Sequence, residues 1–142
     1  MNLFKKHEEI INNSIKALRE RTFFATYPEH PSPKIYGETA DADGQTKFKA
    51  SVGKKFEELK QEHPEGWAGQ EESPYLGDGL KISYPTFSPG TLISRSNKAF
   101  HQWRKVSAEE RAGILVESLE RIKNRFFEIA YATMHTKIGR AS

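Results

Sequence analysis

Cysteine is absent from all 142 residues of the sequence. Its absence excludes disulfide bonds, thiolate metal sites and any cysteine nucleophile within this chain. A chain without cysteine is also compatible with a reducing compartment, because it has no thiols to oxidise.

Long apolar runs are absent as well, and the longest extend over only a few residues. No segment is therefore expected to span a bilayer. The first six residues, Met1 to Lys6, lack the apolar stretch of a secretory signal, which predicts a cytoplasmic location. Apolar residues make up 36% of the chain, and the mean hydropathy of −0.73 is low for a self-contained globule. We expect one partial domain over 1–142 that lacks part of its packing surface.

An excess of one charge is also missing, since 22 basic residues face 19 acidic ones. Acidic pairs such as Glu8–Glu9, Glu57–Glu58 and Glu109–Glu110 interrupt the basic residues along the chain. Mixed charge of this kind is typical of a solvated surface, whereas nucleic-acid binders concentrate positive charge on one face. The sequence therefore predicts neither a nucleic-acid partner nor a membrane partner.

Residues that could carry chemistry form no recognisable site. The five histidines show no zinc-site spacing, and no serine sits in a Gly-x-Ser-x-Gly elbow. Gly77-Asp78-Gly79 precedes a strand-like segment, so we interpret it as a turn and not as a phosphate loop. Glu71-Glu72 lies in a loop with no sign of burial. We expect no catalytic, cofactor-binding or metal-binding residue in this chain.

Hydrophobic periodicity and turn residues predict a mainly α fold with one β-hairpin. The predicted elements are helix 3–24, loop 25–46, helix 47–62, loop 64–69, hairpin 73–85, helix 88–104 and helix 107–135.

Three of these predictions depend on particular residues. Phe23 and Phe24 are expected to close the apolar stripe of the first helix, and prolines 28, 31 and 33 to keep the following loop free of helix. Leu80, Ile82 and Tyr84 alternate with polar residues, as in a half-buried strand that Pro85 ends. Seven aromatics on apolar faces are expected to be core: Phe23, Phe24, Trp67, Phe100, Trp103, Phe126 and Phe127.

The last predicted helix has the strongest signal. Ser107 and Glu110 form a capping box, and apolar residues follow at helical spacing from Leu115 to Met134. At 1.5 Å per residue, a single helix over 107–135 would be roughly 42 Å long. We expect it to need a larger body to pack on than the rest of this chain offers.

An ordered set of short patterns in this region resembles the aldehyde dehydrogenase superfamily. Its members are Ala99-Phe100-His101-Gln102-Trp103-Arg104, Ser107-Ala108-Glu109-Glu110-Arg111, Ile114-Leu115, Leu119, Arg125 and Glu128-Ile129-Ala130. A second set of patterns resembles one branch, the PaaN-type aldehyde dehydrogenase of phenylacetic acid degradation: Ala17 to Phe24, Tyr27 to Pro33, Ser73-Pro74-Tyr75, Tyr84-Pro85 and Met134-His135-Thr136.

The resemblance implies the N-terminal portion of an α/β enzyme that oxidises an aldehyde with NAD or NADP. In that family a cysteine thiolate attacks the aldehyde, hydride passes to the nicotinamide, and a glutamate-activated water releases the acid. These groups lie downstream of the similar region, so no residue is carried over, and this chain alone is expected to bind no cofactor and to be inactive. It would meet the aldehyde only through the missing domains.

The resemblance stops at Thr136. Family members continue from His-Thr into Gly-Lys or Gly-Gln, whereas this sequence has an atypical tail over 137–142. We expect a fragment, arising from a frameshift, a shortened gene product or an artificial boundary. A stand-alone helical module for interaction or homo-oligomer assembly remains the alternative, because the apolar stripes exceed what the chain can cover.

Overall fold

A computed structural model of the protein describes residues 2–27, 30–58 and 60–136. The described chain is mainly helical with one pair of antiparallel strands, which confirms the predicted fold class. In chain order the elements are α1 (Leu3–Glu20), α2 (Pro33–Tyr36), α3 (Ala40–Ser51), β1 (Gly66–Ala68), β2 (Tyr84–Thr86), α4 (Pro89–Trp103), α5 (Ala108–Lys123) and α6 (Phe126–Thr136).

The described residues form two compact units. The first is drawn from Met1–Gly37 and Lys98–Asn124, and the second from Glu38–Asn97 and Arg125–Ser142. Each unit is built on a pair of packed helices, α1 with α5 in the first and α3 with α6 in the second. The single partial domain expected over 1–142 stays a prediction, and the atypical tail over 137–142 lies outside the described residues.

Helix α1 begins and ends at polar caps. The side chain of Asn2 accepts a hydrogen bond from the backbone N–H of Lys5 (3.0 Å), as expected of an N-cap. The helix ends where Arg21 takes a left-handed backbone conformation with φ of 55°. The predicted end at residue 24 is therefore wrong, and Phe23, which is 92% exposed, does not close the stripe.

The two helices of the first unit meet at a glycine. A Cβ on Gly113 of α5 would lie 2.6 Å from the carbonyl carbon of Leu3, at the start of α1. One turn further along both helices, His7 lies against Glu117. Successive turns of α1 thus meet successive turns of α5, so that the two helices run in the same direction. His7 and Ile11 are the buried residues of α1.

The single long helix predicted over 107–135 is two helices. The predicted capping box is confirmed, since Ser107 Oγ accepts from the backbone N–H of Glu110 (3.1 Å) and the Glu110 carboxylate accepts from the backbone N–H of Ser107 (3.3 Å). However, α5 ends at Lys123 and α6 starts at Phe126. Periodicity did not reveal the break, because each half keeps its apolar spacing while packing on a different helix.

The predicted boundaries around residues 25–62 are wrong. Pro33 stands at the first position of α2, where proline is tolerated because its missing N–H would be unpaired in any case. Helix α3 covers Ala40–Ser51, more than half of it inside the predicted loop, and Phe48 packs into the core from this helix. Beyond Val52 the chain turns at Gly53, with φ of 75°, and does not continue as helix. Pro28 and Leu59 lie outside the described residues.

The paired strands are not those predicted. Trp67 of β1, in the expected loop 64–69, pairs with Pro85 of β2, which was expected to end a strand. Proline is tolerated there because an edge strand needs no N–H on its open side. The predicted hairpin 73–85 does not pair with itself as two strands. Before β2 begins at Tyr84, Gly79 forms an isolated bridge with Glu72, and Ser83 forms one with Lys55.

The core of the second unit lies where the alternating segment was predicted. Leu80 and Ile82 are buried beside Phe48, and Lys81 between them is exposed, which confirms the predicted alternation. Backbone hydrogen bonds tie this segment to the end of α3, from Gly53 to Leu80 and in both directions between residues 54–56 and Ser83. Partly buried side chains complete the core: Val52, Phe56, Tyr84, Tyr131 and Ala132.

Large apolar side chains remain exposed in both units. Among the aromatics predicted to be core, five are exposed: Phe23, Phe24, Trp67, Phe100 and Trp103. Helical spacing identified an apolar face correctly but did not show whether the chain itself supplies a partner for that face. No helix within 2–27, 30–58 and 60–136 has the length and apolar character needed to cross a membrane.

We expect Gly44→Ala to destabilise the second unit by about 1–3 kcal/mol, because overpacking forces the neighbouring backbone to move. A Cβ on this residue of α3 would lie 2.5 Å from the Cβ of Phe127 and 2.7 Å from the backbone nitrogen of Glu128. Urea unfolding followed by circular dichroism measures the change. The control is Gly90→Ala in α4, where a Cβ meets open space, and there the free energy of unfolding should stay unchanged or rise by up to about 1 kcal/mol. Equal stabilities of the two variants would contradict the proposed close approach.

Candidate functional site

The second unit contains a groove of about 560 Å³ beside the α3–α6 pair. Apolar side chains including Phe48, Phe56 and Ile82 form part of its lining. The remaining lining is dominated by charged residues of both signs: Lys47, Lys54, Lys55, Glu57, Glu58, Arg125 and Glu128. A groove with an apolar lining and a few converging polar groups is the usual form of a ligand site.

The charge of Arg125 in the groove is already neutralised by neighbouring carboxylates. Arg125 donates from Nε to Glu128 Oε2 (2.9 Å) and from Nη2 to Glu128 Oε1 (2.5 Å), and its Nη1 forms an ion pair with Glu58. The hydrogen bonds from Arg125 lower the pKa of Glu128 below its usual value. Since both carboxylates are committed to the guanidinium, Arg125 anchors the start of α6 and is not available to an anionic ligand.

Within the described residues a hydroxyl and an imidazole meet at Ser73 and His135, with 2.7 Å between Oγ and Nδ1. The same Oγ accepts hydrogen bonds from the backbone N–H groups of Tyr75 (3.2 Å) and Leu76 (3.1 Å). Its own proton is therefore directed at His135. The ring of His135 is stacked on Phe48, with centroids 4.6 Å apart, and meets the edge of Tyr75 at 5.6 Å.

This serine–histidine pair lacks what nucleophilic catalysis requires. Ser73 is only 3% exposed, and within the described residues no carboxylate orients His135 through its other nitrogen. A serine nucleophile needs an accessible oxygen and a base held by a third group. The pair instead fastens the turn at residues 73–77 to the end of α6.

We expect Ser73→Ala to lower the free energy of unfolding by about 1–3 kcal/mol, because two backbone donors and the imidazole lose a buried partner. Thermal or urea unfolding measures the loss. In the matched control Ser118→Ala, an exposed hydroxyl that donates to the Ile114 carbonyl is removed, with an expected change within about 0.5 kcal/mol. If both substitutions were neutral, the hydrogen bond between Ser73 and His135 would have no structural role.

In the first unit an ion network joins the two helices. Glu117 Oε2 accepts from Lys6 Nζ (2.6 Å) and lies 2.8 Å from His7 Nε2, while Oε1 lies 3.3 Å from Arg121 Nε. Hydrogen bonds from Lys6 and then His7 are the largest causes that lower the pKa of Glu117 to about 2. The network holds α1 to α5 and offers no nucleophile or open metal position.

Glu117 should make the stability of the first unit depend on acid pH. Its folded-state pKa of about 2 lies below the ordinary 4.5, so the carboxylate stabilises the fold above pH 4.5 and loses that contribution as the pH falls towards 2. Stabilities of the wild type and Glu117→Gln should differ at pH 7 and converge near pH 2. Glu8→Gln, on the exposed side of α1, is the control and should follow the wild-type curve. A difference that persists unchanged at pH 2 would assign the effect to packing and not to charge.

The other residues considered in the sequence take structural positions. His101 lies beside Phe100, with ring centroids 6.2 Å apart. The interpretation of 77–79 as a turn is confirmed, since Gly77 has φ of 65° and Asp78 Oδ1 accepts from the backbone N–H of Gly79 (2.8 Å). Glu71 is partly buried, contrary to expectation, and its Oε2 is buried without a hydrogen-bond partner. In the described part of the chain no three acidic or histidine side chains converge as metal ligands.

Sequence reasoning missed the pairs His7–Glu117 and Ser73–His135. The partners are 110 and 62 residues apart, so no local spacing could have indicated them. Only the packing of α1 on α5, and of the 73–77 turn on α6, brings them together.

No protein-family model matches this chain, and no curated protein matches it. Its fold and sequence do match the crystal structure of an NAD-dependent aldehyde dehydrogenase from Burkholderia multivorans, with a TM-score of 0.83 and 39% sequence identity over 95% of this chain. The comparison supports the predicted resemblance of this chain to the aldehyde dehydrogenase superfamily. The present chain spans 24% of the length of that dehydrogenase, so about three quarters of the enzyme has no counterpart here.

The similarity to an NAD-dependent dehydrogenase raises the question whether the residues present could hold the dinucleotide. A dinucleotide site needs a glycine-rich turn followed by a helix N-terminus that faces the pyrophosphate. The Gly-Asp-Gly turn at 77–79 instead leads into the extended core segment at 80–82 and places a carboxylate at the turn. These described residues do not fit the cofactor.

Proposed function

We infer that this chain is the N-terminal, non-catalytic segment of an NAD(P)-dependent aldehyde dehydrogenase. The observation that carries the proposal is the match over 95% of this chain to one quarter of such an enzyme, at 39% identity. The chain has no cysteine, and the described residues include no accessible nucleophile paired with a base. Its own contribution would be structural, because the packed pairs α1–α5 and α3–α6 would support the rest of the subunit.

For the substrate we propose an arylacetaldehyde such as phenylacetaldehyde, in the cytoplasmic breakdown of phenylacetate. The support is the resemblance of five sequence segments to the PaaN-type branch. Of these, Ser73-Pro74-Tyr75 and Met134-His135-Thr136 are in contact, through the hydrogen bond between Ser73 and His135. In this proposal the two segments are kept together for the integrity of the fold and not for contact with the aldehyde.

A second candidate is a stand-alone helical module that binds a protein partner or a further copy of itself. Exposed apolar side chains on several helices favour it, among them Leu18, Ile93, Phe100 and Leu115. The two candidates differ in what covers these side chains, because the first requires the remaining aldehyde dehydrogenase domains and the second does not.

The proposal is tested by replacing the matching quarter of the Burkholderia multivorans enzyme with this chain. We expect the chimera to reduce NAD with phenylacetaldehyde as substrate, measured by absorbance at the nicotinamide band. The chain alone, and the enzyme with that quarter deleted, should both be inactive. An inactive, misfolded chimera would contradict the assignment to this position, and turnover by the isolated chain would contradict its non-catalytic role.

A further inference from the structure

Helix α5 has one face that is occupied within its own unit. Gly113 receives the start of α1, Glu117 binds Lys6 and His7, and Glu120 Oε2 accepts from the Tyr27 hydroxyl (3.1 Å). The spacings of four and three between these positions keep them on one side of an α-helix. Gly113 and Glu117 meet α1, Glu120 meets Tyr27, and the neighbouring Ile114 and Val116 are partly buried.

The opposite side of α5 carries three exposed aliphatic residues. Leu115, Leu119 and Ile122 each follow one of the occupied positions by two residues, which places them about 200° round the helix. They are 62%, 49% and 51% exposed. We refer to these three residues as the outer stripe.

The arrangement of α5 differs from that of a helix on the surface of a self-contained domain. Such a helix turns its apolar residues to the core and its charged residues to solvent. Helix α5 instead turns Glu117 and Glu120 to contacts within its own unit and leaves the outer stripe uncovered. Three aligned aliphatic side chains on one helix form a contiguous patch and not scattered surface residues. The exposed patch indicates that a second body covers the outer stripe.

The character of α5 restricts what this body can be. The helix carries four acidic and three basic residues, so it lacks the basic polar face that draws an amphipathic helix to an anionic membrane. The matched dehydrogenase contains about three quarters of its chain beyond the region that this protein covers. A body of that size is large enough to bury a helix face along its whole length.

We propose that the outer stripe of α5 is the surface on which the remaining domains of the aldehyde dehydrogenase subunit dock. The proposal rests on the proposed function and adds the residues that make the contact. The docking surface and the α1–α5 contact are thus separate: the ion network sets α5 in place from one side, and the outer stripe joins it to the enzyme from the other.

Cysteine labelling tests the docking surface at a single position, because the native chain has no cysteine that would compete for the label. We would prepare Leu119→Cys, with Asn13→Cys on the exposed side of α1 as the matched control. Each variant is labelled with a maleimide as the isolated chain and again within the chimera with the Burkholderia multivorans enzyme. Mass spectrometry of the labelled peptide separates this thiol from those of the enzyme.

The expected result is that the chimera protects Leu119→Cys and leaves Asn13→Cys reactive, with labelling of the former slowed by at least about tenfold. Equal labelling of Leu119→Cys in the isolated chain and in an active chimera would overturn the docking surface while leaving the proposed function intact. A chimera that fails to fold would count against the proposed function itself. Protection of Leu119→Cys in the isolated chain, increasing with its concentration, would assign the stripe to a second copy and also overturn the proposal.

Discussion

The close approach of paired helices at glycine is the constraint on which both units depend. At Gly113 and at Gly44 the neighbouring helix comes so near that a single added carbon would lie within 2.6 Å of its atoms. This proximity brings Glu117 within reach of Lys6 and His7, and Phe48 within reach of His135. Helices held further apart would leave the buried His7 and the partly buried Glu117 without each other as partners. An unpaired polar group is costly in a protein interior.

Polar contacts, more than apolar burial, define how these helices pair. The buried apolar core of the described chain is small, with Phe48, Leu80 and Ile82 in the second unit and Ile11 in the first. Directional polar contacts orient the packed elements. They are the ion network at Glu117, the carboxylates around Arg125 and the hydrogen bond between Ser73 and His135. This small core leaves many large apolar side chains of the described residues exposed.

The comparison with the aldehyde dehydrogenase accounts for the unusual balance between small core and exposed apolar surface. The chain spans 24% of the length of that dehydrogenase, and under the proposed function it need not bury its aliphatic side chains by itself. In the proposed enzyme the low mean hydropathy and the outer stripe of α5 have one cause, because polar residues form many of the internal contacts and exposed apolar residues would meet the remaining domains.

Local chemistry made part of this fold predictable. The capping box at Ser107, the turn at Gly77 and the alternation of Leu80 and Ile82 depend on neighbours within a few residues, and all three are confirmed. The division of the last helix at Asn124, the early start of α3 and the pairing of Trp67 with Pro85 depend on distant partners. Side-chain periodicity reports which residues share a face, whereas the tertiary packing selects the partner of that face. For this reason only the structure separates the face of α5 that meets α1 from the face left open.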